Sequence, residues 1–107
     1  PSKAAQIMLM KQMAVEWGPD GIRVNALSPG LTVTPGTAAA YERTGAREQR
    51  EARIPLRRLA QAEDMAAALS MLVGPDAGYI HGHDLVVDGG LTNTLMPSIT
   101  QPAWQGA

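Results

Sequence analysis

Two short aliphatic segments, residues 22–28 and 84–88, constrain the fold of this 107-residue chain most strongly. Each is rich in β-branched or aliphatic residues, follows a segment with helical spacing and ends at a glycine turn. This pattern is typical of buried parallel strands, which are short and apolar on both faces. The order helix, strand, long connection, helix, strand therefore predicts part of an α/β fold.

Two helices are predicted beside these strands. The first covers residues 2–17, with Ser2 as its N-cap and apolar residues on several faces, so we expect it to pack on two sides. The second covers residues 62–73 and has acidic residues in its first turn, where the helix dipole favours them. The connection at residues 31–55 is long for a compact domain, and such connections often form lids or binding loops. Its charged stretch, residues 42–53, predicts a short surface helix.

The composition excludes several classes of function. The balance of 9 Lys and Arg against 10 Asp and Glu gives no electrostatic case for a nucleic-acid-binding protein, which would show a basic face or stripe. No apolar run approaches the roughly 20 residues that cross a bilayer. The chain has no cysteine, and the pair His81 and His83 has no evident third ligand, so we predict no metal site. We expect a cytoplasmic protein that binds neither nucleic acid nor membrane.

Four residues near the first strand are candidates for ligand binding. Pro29 and Gly30 follow the strand at its carboxyl end, where ligands bind in open parallel sheets. A glycine there lets the backbone approach a ligand, and Thr32 and Thr34 add hydroxyl and amide donors. Asn25 lies inside the apolar strand, where a buried amide needs partners, and we favour a structural hydrogen bond for it.

Other polar residues have simpler interpretations when each is taken alone. Lys3 lies at the start of a helix, where the dipole disfavours a cation, and a solvated helix end accounts for it. The two histidines are interpreted as loop residues between a helix and a strand. Asp88-Gly89-Gly90 is interpreted as a turn. Arg57 and Arg58 could bind an anion or could be surface charges, and the sequence leaves both possibilities open.

In combination, several segments resemble the short-chain dehydrogenase/reductase family. They are Ser2-Lys3-Ala4-Ala5, residues 16–25, Ser28-Pro29-Gly30, Pro55-Leu56-Arg57-Arg58, Ala62-Glu63-Asp64 and Val87-Asp88-Gly89-Gly90. Their order and spacing are those of the family, and only the tail after Leu91 falls outside the resemblance. The resemblance implies that residues 1–107 are the C-terminal portion of a single-domain, Rossmann-like, doubly wound parallel sheet with helices on both faces.

The resemblance implies an NAD(P)-dependent oxidoreductase that transfers hydride between NAD or NADP and a secondary alcohol or carbonyl substrate. In this family a tyrosine exchanges a proton with the substrate oxygen. A lysine four residues later lowers the pKa of that tyrosine and holds the nicotinamide ribose. Lys3 matches this lysine, so the tyrosine would lie two residues before Pro1, and the catalytic serine would also precede Pro1. The family's cofactor-contacting positions are matched by Lys3, Pro29, Gly30, Thr32 and Thr34.

Within the cofactor-contacting set, Pro29, Gly30 and Thr32 match the segment that lines the nicotinamide. Thr34 matches the residue that reaches the cofactor phosphates. Residues 31–55 correspond to the family's substrate-binding loop.

Two further expectations follow from the resemblance. We expect a homodimer or homotetramer, with both helices and the last strand in the subunit contacts, and a tail at residues 91–107 that lies outside the family pattern. Because the catalytic Ser and Tyr and the glycine-rich cofactor loop have no counterpart here, we expect these residues alone to be inactive. The alternative is a non-catalytic member of the family that acts as an oligomerisation or binding module.

Overall fold

The structure of the chain, a computed structural model, describes residues 2–43 and 45–95. Its helices are α1 (Lys3–Trp17), α2 (Ala38–Tyr41), α3 (Ala46–Arg53) and α4 (Ala62–Val73), and its strands are β1 (Ala26–Pro29) and β2 (Asp84–Val87). Short 3₁₀ helices cover Gly18–Asp20, Pro75–Ala77 and Leu91–Leu95. This order of elements confirms the predicted α/β class.

The two strands form a parallel pair in which Ala26 lies opposite Asp84. α4 lies in the crossover between them and contacts β1. Because the strands run in the same direction, their carboxyl ends meet at one edge, with Gly30 beside Asp88. The Gly30 amide donates to the Val87 carbonyl at 2.9 Å, which extends the pairing one residue past β1. The predicted carboxyl-end turn therefore lies directly against the second strand.

The two long helices begin where local sequence signals predict. The Ser2 hydroxyl accepts a hydrogen bond from the Ala5 amide at 3.1 Å, which confirms it as the N-cap of α1. α4 has the predicted bounds, Ala62–Val73. Its first turn is closed by the Gln61 amide, which donates to the Asp64 carboxylate at 2.7 Å. Capping side chains therefore account for both starting points.

The first strand begins later than the sequence predicts, at Ala26 instead of residue 22. The preceding segment is held by side-chain hydrogen bonds to the loop before β2. Asn25 Nδ2 donates to the Ile80 carbonyl at 3.0 Å, and Asn25 Oδ1 accepts from the His83 amide at 3.0 Å. The structural role predicted for Asn25 is confirmed. The predicted strand start was wrong because these bonds replace part of the regular ladder.

Replacing Asn25 with alanine is expected to lower the free energy of unfolding by about 2 kcal/mol. The substitution removes two hydrogen bonds and leaves the Ile80 carbonyl and the His83 amide without these partners. Chemical denaturation measures the change. Asn93→Ala is the control, because Asn93 is exposed and its change should stay within about 0.5 kcal/mol. Equal losses in both variants would contradict the expectation.

The buried core of the described residues is small. Its members are Met10, Ala14, Ile54, Leu59, Leu72 and Ala77. Only two residues of α1 are buried, so the expectation that this helix packs on two sides is not met within the described part of the chain. Met8, Leu9 and Val15 are exposed along it. The helix α1 therefore presents apolar surface that the rest of the described chain does not cover.

None of the helices within residues 2–43 and 45–95 has the length and apolar composition needed to cross a membrane.

Candidate functional site

The segment that leaves β1 is held between β2 and the start of α4. Thr32 pairs with Ala60 in an isolated parallel bridge. The Val33 amide donates to the Ala60 carbonyl at 2.8 Å, and the Ala60 amide donates to the Leu31 carbonyl at 2.9 Å. These bonds give the polar segment after β1 a defined path along the carboxyl edge of the strand pair.

Three threonines fix the next turn of this segment. Thr32 Oγ1 donates to the Gly30 carbonyl at 3.0 Å. The Thr34 amide donates to Thr37 Oγ1 at 2.9 Å, and the Thr37 amide donates to Thr34 Oγ1 at 3.2 Å. Thr37 Oγ1 also donates to the Thr32 carbonyl at 3.1 Å. Sequence reasoning missed Thr37, although a threonine on each side of Pro35-Gly36 is a recognisable turn signal.

Gly30 is required by its neighbouring strand. A Cβ atom at this position would lie 2.7 Å from both Cα and Cβ of Asp88, closer than real Cβ contacts. From the sequence, Gly30 was predicted to let the backbone approach a ligand closely. The contact with Asp88 is a sufficient structural reason for it, and the ligand role stays a prediction.

Asp88 organises the turn after β2. Its Oδ1 accepts from the Gly90 amide at 2.9 Å, and its Oδ2 accepts from the Thr92 amide at 2.9 Å. These backbone hydrogen bonds, chiefly the one from Thr92, hold the pKa of the Asp88 carboxyl below its usual value. The carboxylate thereby caps the 3₁₀ helix Leu91–Leu95, in a segment that sequence reasoning treated as an irregular tail. Residues 96–107 of that tail lie outside the described residues.

Gly89 and Gly90 bring the same turn against the end of the long connection. Their φ angles are +63° and +94°, and Cβ atoms there would lie 2.8 Å from Ile54 Cγ2 and 3.0 Å from Pro55 Cγ. The Leu56 amide donates to the Gly89 carbonyl at 3.2 Å. The predicted turn is confirmed. Both ends of the connection are therefore anchored at the carboxyl edge, one after β1 and the other on the turn after β2.

The surface helix predicted over residues 42–53 is present as α3, which begins later, at Ala46, after Gly45 in the left-handed region. Arg47 Nε and Glu51 Oε1 lie 3.6 Å apart, four residues apart in sequence. Glu51 Oε2 also accepts from the Leu59 amide at 3.1 Å, which ties α3 to the segment before α4. The shorter helix α2 was not predicted.

Arg58 forms a two-pronged ion pair with Asp64. Its guanidinium nitrogens lie 2.8 and 3.0 Å from the two carboxylate oxygens. Hydrogen bonds from Arg58 and from the Gln61 amide lower the pKa of Asp64 from 3.8 to about 2. Arg58 therefore holds the start of α4, which accounts for one of the two arginines left open by the sequence.

The stabilising effect of this pair should be present above pH 3.8 and be lost as the pH falls through about 2, because the folded-state pKa is depressed. Urea denaturation of the wild type and of Asp64→Asn should show a difference near neutral pH that shrinks across this window. Glu63→Gln is the control, because Glu63 forms no ion pair among the described residues. A wild-type advantage that stays constant down to about pH 2 would contradict the assignment.

Lys3 lies in the first turn of α1, and its side chain is exposed. None of the ion pairs within the described ranges involves its ammonium group. The other four predicted site residues lie within six consecutive positions from the last residue of β1 onward, and Lys3 lies on a separate element, α1. No group of three or more His, Cys, Asp or Glu side chains that could hold a metal ion occurs among the residues described.

A parallel strand pair with a crossover helix and a polar turn at its carboxyl edge is a unit of the α/β folds, Rossmann-like folds among them. The family model described as Enoyl-(Acyl carrier protein) reductase matches residues 1–92. The chain is 41% identical over 91 residues to the 2-(R)-hydroxypropyl-CoM dehydrogenase of Xanthobacter autotrophicus, covering 85% of the chain and 36% of that relative. The chain belongs to the short-chain dehydrogenase/reductase family.

Two solved structures show the same fold. One is a 4-hydroxyisoleucine dehydrogenase complexed with NADH, with a TM-score of 0.79 and 33% identity over 85% of the chain and 37% of that structure. The other is a gluconate 5-dehydrogenase from Burkholderia cenocepacia J2315 in complex with NADP and tartrate, with a TM-score of 0.76 and 32% identity over 85% of the chain and 36% of that structure. The predicted family and Rossmann-like fold are confirmed. The chain spans little more than a third of the length of these relatives.

Proposed function

We propose that residues 1–107 are the C-terminal portion of an NAD(P)-dependent dehydrogenase or reductase that transfers hydride to or from a secondary alcohol or carbonyl. The observation that carries the proposal is the segment from Pro29 to Thr34, held at the carboxyl edge of a parallel strand pair, where open sheets bind ligands. The NADH and NADP complexes of the two structural relatives support the class of cofactor.

The donors at this edge fit a nicotinamide dinucleotide in their chemistry. The Thr32 amide suits a carboxamide oxygen, the Thr34 hydroxyl suits a phosphate oxygen once it exchanges its bond to Thr37 Oγ1, and Lys3 offers an ammonium group suited to ribose hydroxyls. The hydride donor or acceptor would be the nicotinamide C4 of this cofactor. Thr34 Oγ1 is already oriented by Thr37 Oγ1 at 3.1 Å. Lys3 is proposed to favour the deprotonated form of the tyrosine, because a neighbouring cation stabilises a phenolate.

Residues 31–55 are proposed as the substrate-binding loop. α2 and α3 occupy this span, and its two ends are anchored at the carboxyl edge beside the proposed cofactor segment. A loop fixed in this way can cover a reacting group and exclude water from it. The relatives named above are dehydrogenases of different compounds, so the proposed substrate class is a small alcohol or carbonyl compound.

Cofactor binding and turnover by the full-length protein test the proposal. Calorimetry with NADH and NADPH, followed by a panel of secondary alcohols and ketones monitored by nicotinamide absorbance, should show binding and turnover. The isolated 107 residues should show no turnover, because the proposed Tyr and Ser precede Pro1. A full-length protein that neither binds a nicotinamide cofactor nor turns over any member of the panel would refute the proposed dehydrogenase or reductase activity.

Exposed apolar side chains on α1 favour a second candidate, a non-catalytic oligomerisation or binding module. Met8, Leu9 and Val15 are 66%, 61% and 72% exposed. Apolar surface of this kind marks interaction sites when it is contiguous. The sequence upstream of Pro1 distinguishes the two candidates. A tyrosine two residues before Pro1, with an upstream serine and a glycine-rich loop, would support the proposed enzyme, and their absence would support the non-catalytic module. Light scattering tests the homodimer or homotetramer proposed in both cases.

A further inference from the structure

His81 joins three parts of the chain through its two ring nitrogens. The Val24 amide, just before β1, donates to His81 Nδ1 at 3.2 Å. His81 Nε2 lies 2.6 Å from the carbonyl oxygen of Ala14, which is buried near the end of α1. A carbonyl can only accept and an amide N–H can only donate. Both bonds therefore form together only when the ring is neutral and carries its proton on Nε2.

The backbones around this ring approach closely. A Cβ atom on Gly18 would lie 3.0 Å from His81 Nε2, and one on Gly82 would lie 3.4 Å from Ala14 Cβ. The Gly82 amide donates to the Val24 carbonyl at 2.8 Å. Both backbone polar groups of Val24 are therefore bonded to residues 81 and 82, and the imidazole supplies the acceptor for one of them.

We propose that His81 is a positioning residue whose neutral ring couples α1 to the strand pair and whose protonation releases Val24. An imidazolium ring carries N–H groups on both nitrogens, so Nδ1–H would face the Val24 N–H, donor against donor. The bond to Ala14 persists, because the carboxyl end of a helix favours a cation. Protonation thus breaks only the hydrogen bond from the Val24 amide to Nδ1. The hydrogen bond from Nε2 to the Ala14 carbonyl on α1 is kept.

Seven charged or titratable groups lie within four residues of Ala14, Val24 or His81, and among the described residues none of them bonds to the ring. They are Lys11 and Glu16 on α1, Asp20 in the turn after it, Arg23 before β1, and Tyr79, His83 and Asp84 around His81. The Arg23 guanidinium donates to the Ala77 carbonyl at 2.7 Å, and Glu16 accepts from Gln12 at 3.1 Å. No ion pair with His81 occurs in the part of the chain that the structure describes.

The bridge connects α1, which carries Lys3, to the segment before β1, and the proposed cofactor segment follows β1. The ring therefore helps to set the position of Lys3 relative to the segment containing Gly30. This functional consequence rests on the proposed function. The hydrogen-bond switch itself does not, and it is measured separately.

Amide exchange at Val24 in the full-length protein tests the switch directly, from about pH 8 to about pH 5. His81→Gln is the informative variant, because glutamine offers a donor and an acceptor at every pH. Near pH 8 the Val24 amide should exchange at similar rates in both proteins. Near pH 5 it should exchange about two- to tenfold faster in the wild type, as expected for the loss of one ordinary hydrogen bond. His83→Gln should keep the wild-type behaviour.

A ratio of Val24 exchange rates that does not change with pH would overturn the proposal. If H81Q does not fold, the wild type decides: the Val24 amide resonance must titrate together with the Nδ1 resonance of His81, and a Val24 resonance that does not move overturns the proposal. In activity assays, H81Q should remove a fall in kcat at low pH without a matching change in KM. If no variant has activity, the proposed function fails while the Val24 measurement still decides the switch.

Discussion

Replacing Gly30 with alanine is expected to lower the free energy of unfolding by about 3 kcal/mol, at the upper end of overpacking effects. The new Cβ would lie 2.7 Å from Cα and Cβ of Asp88. These atoms belong to the turn after β2, so no flexible side chain can move aside to relieve the clash. The two strand ends must separate, which strains the hydrogen bond from the Gly30 amide to the Val87 carbonyl. Chemical denaturation measures the loss.

Gly36→Ala is the matched control for this substitution. The nearest heavy atom to a Cβ on Gly36 is Thr34 Oγ1 at 3.7 Å, an ordinary contact, so the change should stay within about 0.5 kcal/mol. Under the proposed function, only G30A should also weaken the binding of NADH or NADPH. Denaturation midpoints that coincide for the two variants would show that the contact with Asp88 does not require a glycine.

Replacing Lys3 with methionine in the full-length protein is expected to lower kcat/KM about 10²- to 10⁴-fold, the range for a group that supports proton transfer. The free energy of unfolding should change by less than about 0.5 kcal/mol, because the Lys3 side chain is exposed. The loss follows from the proposed role, in which the ammonium group holds the ribose and favours the phenolate. Steady-state kinetics should also show activity rising at higher pH than in the wild type.

Lys11→Met provides the comparison, since Lys11 is an exposed lysine on the same helix. It changes the net charge by the same amount and should leave kcat/KM unchanged. An equal loss in both variants would indicate a general effect of charge. An unchanged kcat/KM in K3M would remove Lys3 from the proposed machinery.

Elements with strong local signals were predictable from the sequence. α4 begins and ends at the predicted residues because acidic first-turn residues and the Gly74-Pro75 stop act within a few positions of the chain. The Ser2 cap is equally local, since its hydroxyl accepts from an amide only three positions away. Such contacts depend on spacing alone.

Features set by distant contacts were not predictable in the same way. The segment before β1 leaves the ladder because Asn25 bonds to Ile80, 55 residues away in sequence, and a short apolar run does not reveal that partner. The structural need for Gly30 likewise arises from Asp88, which a local pattern cannot pair with it. The segment from Pro29 to Thr34 was a candidate because it follows a predicted strand, whereas Lys3 became one only through the family resemblance, and all these residue roles stay predictions.

The turn at Gly89 and Gly90 has a consequence for how this domain can change. This turn anchors the far end of the long connection, and the bridge of Thr32 to Ala60 anchors the near end. The segment between these two anchors should therefore accept changes of sequence and length. Residues 38–50, which begin after Thr37, are expected to tolerate replacement or a change of length without moving either strand end. Under the proposed function, such an exchange changes the substrate-binding loop and keeps the segment from Pro29 to Thr34, so chimeras should be joined at residues 38 and 50.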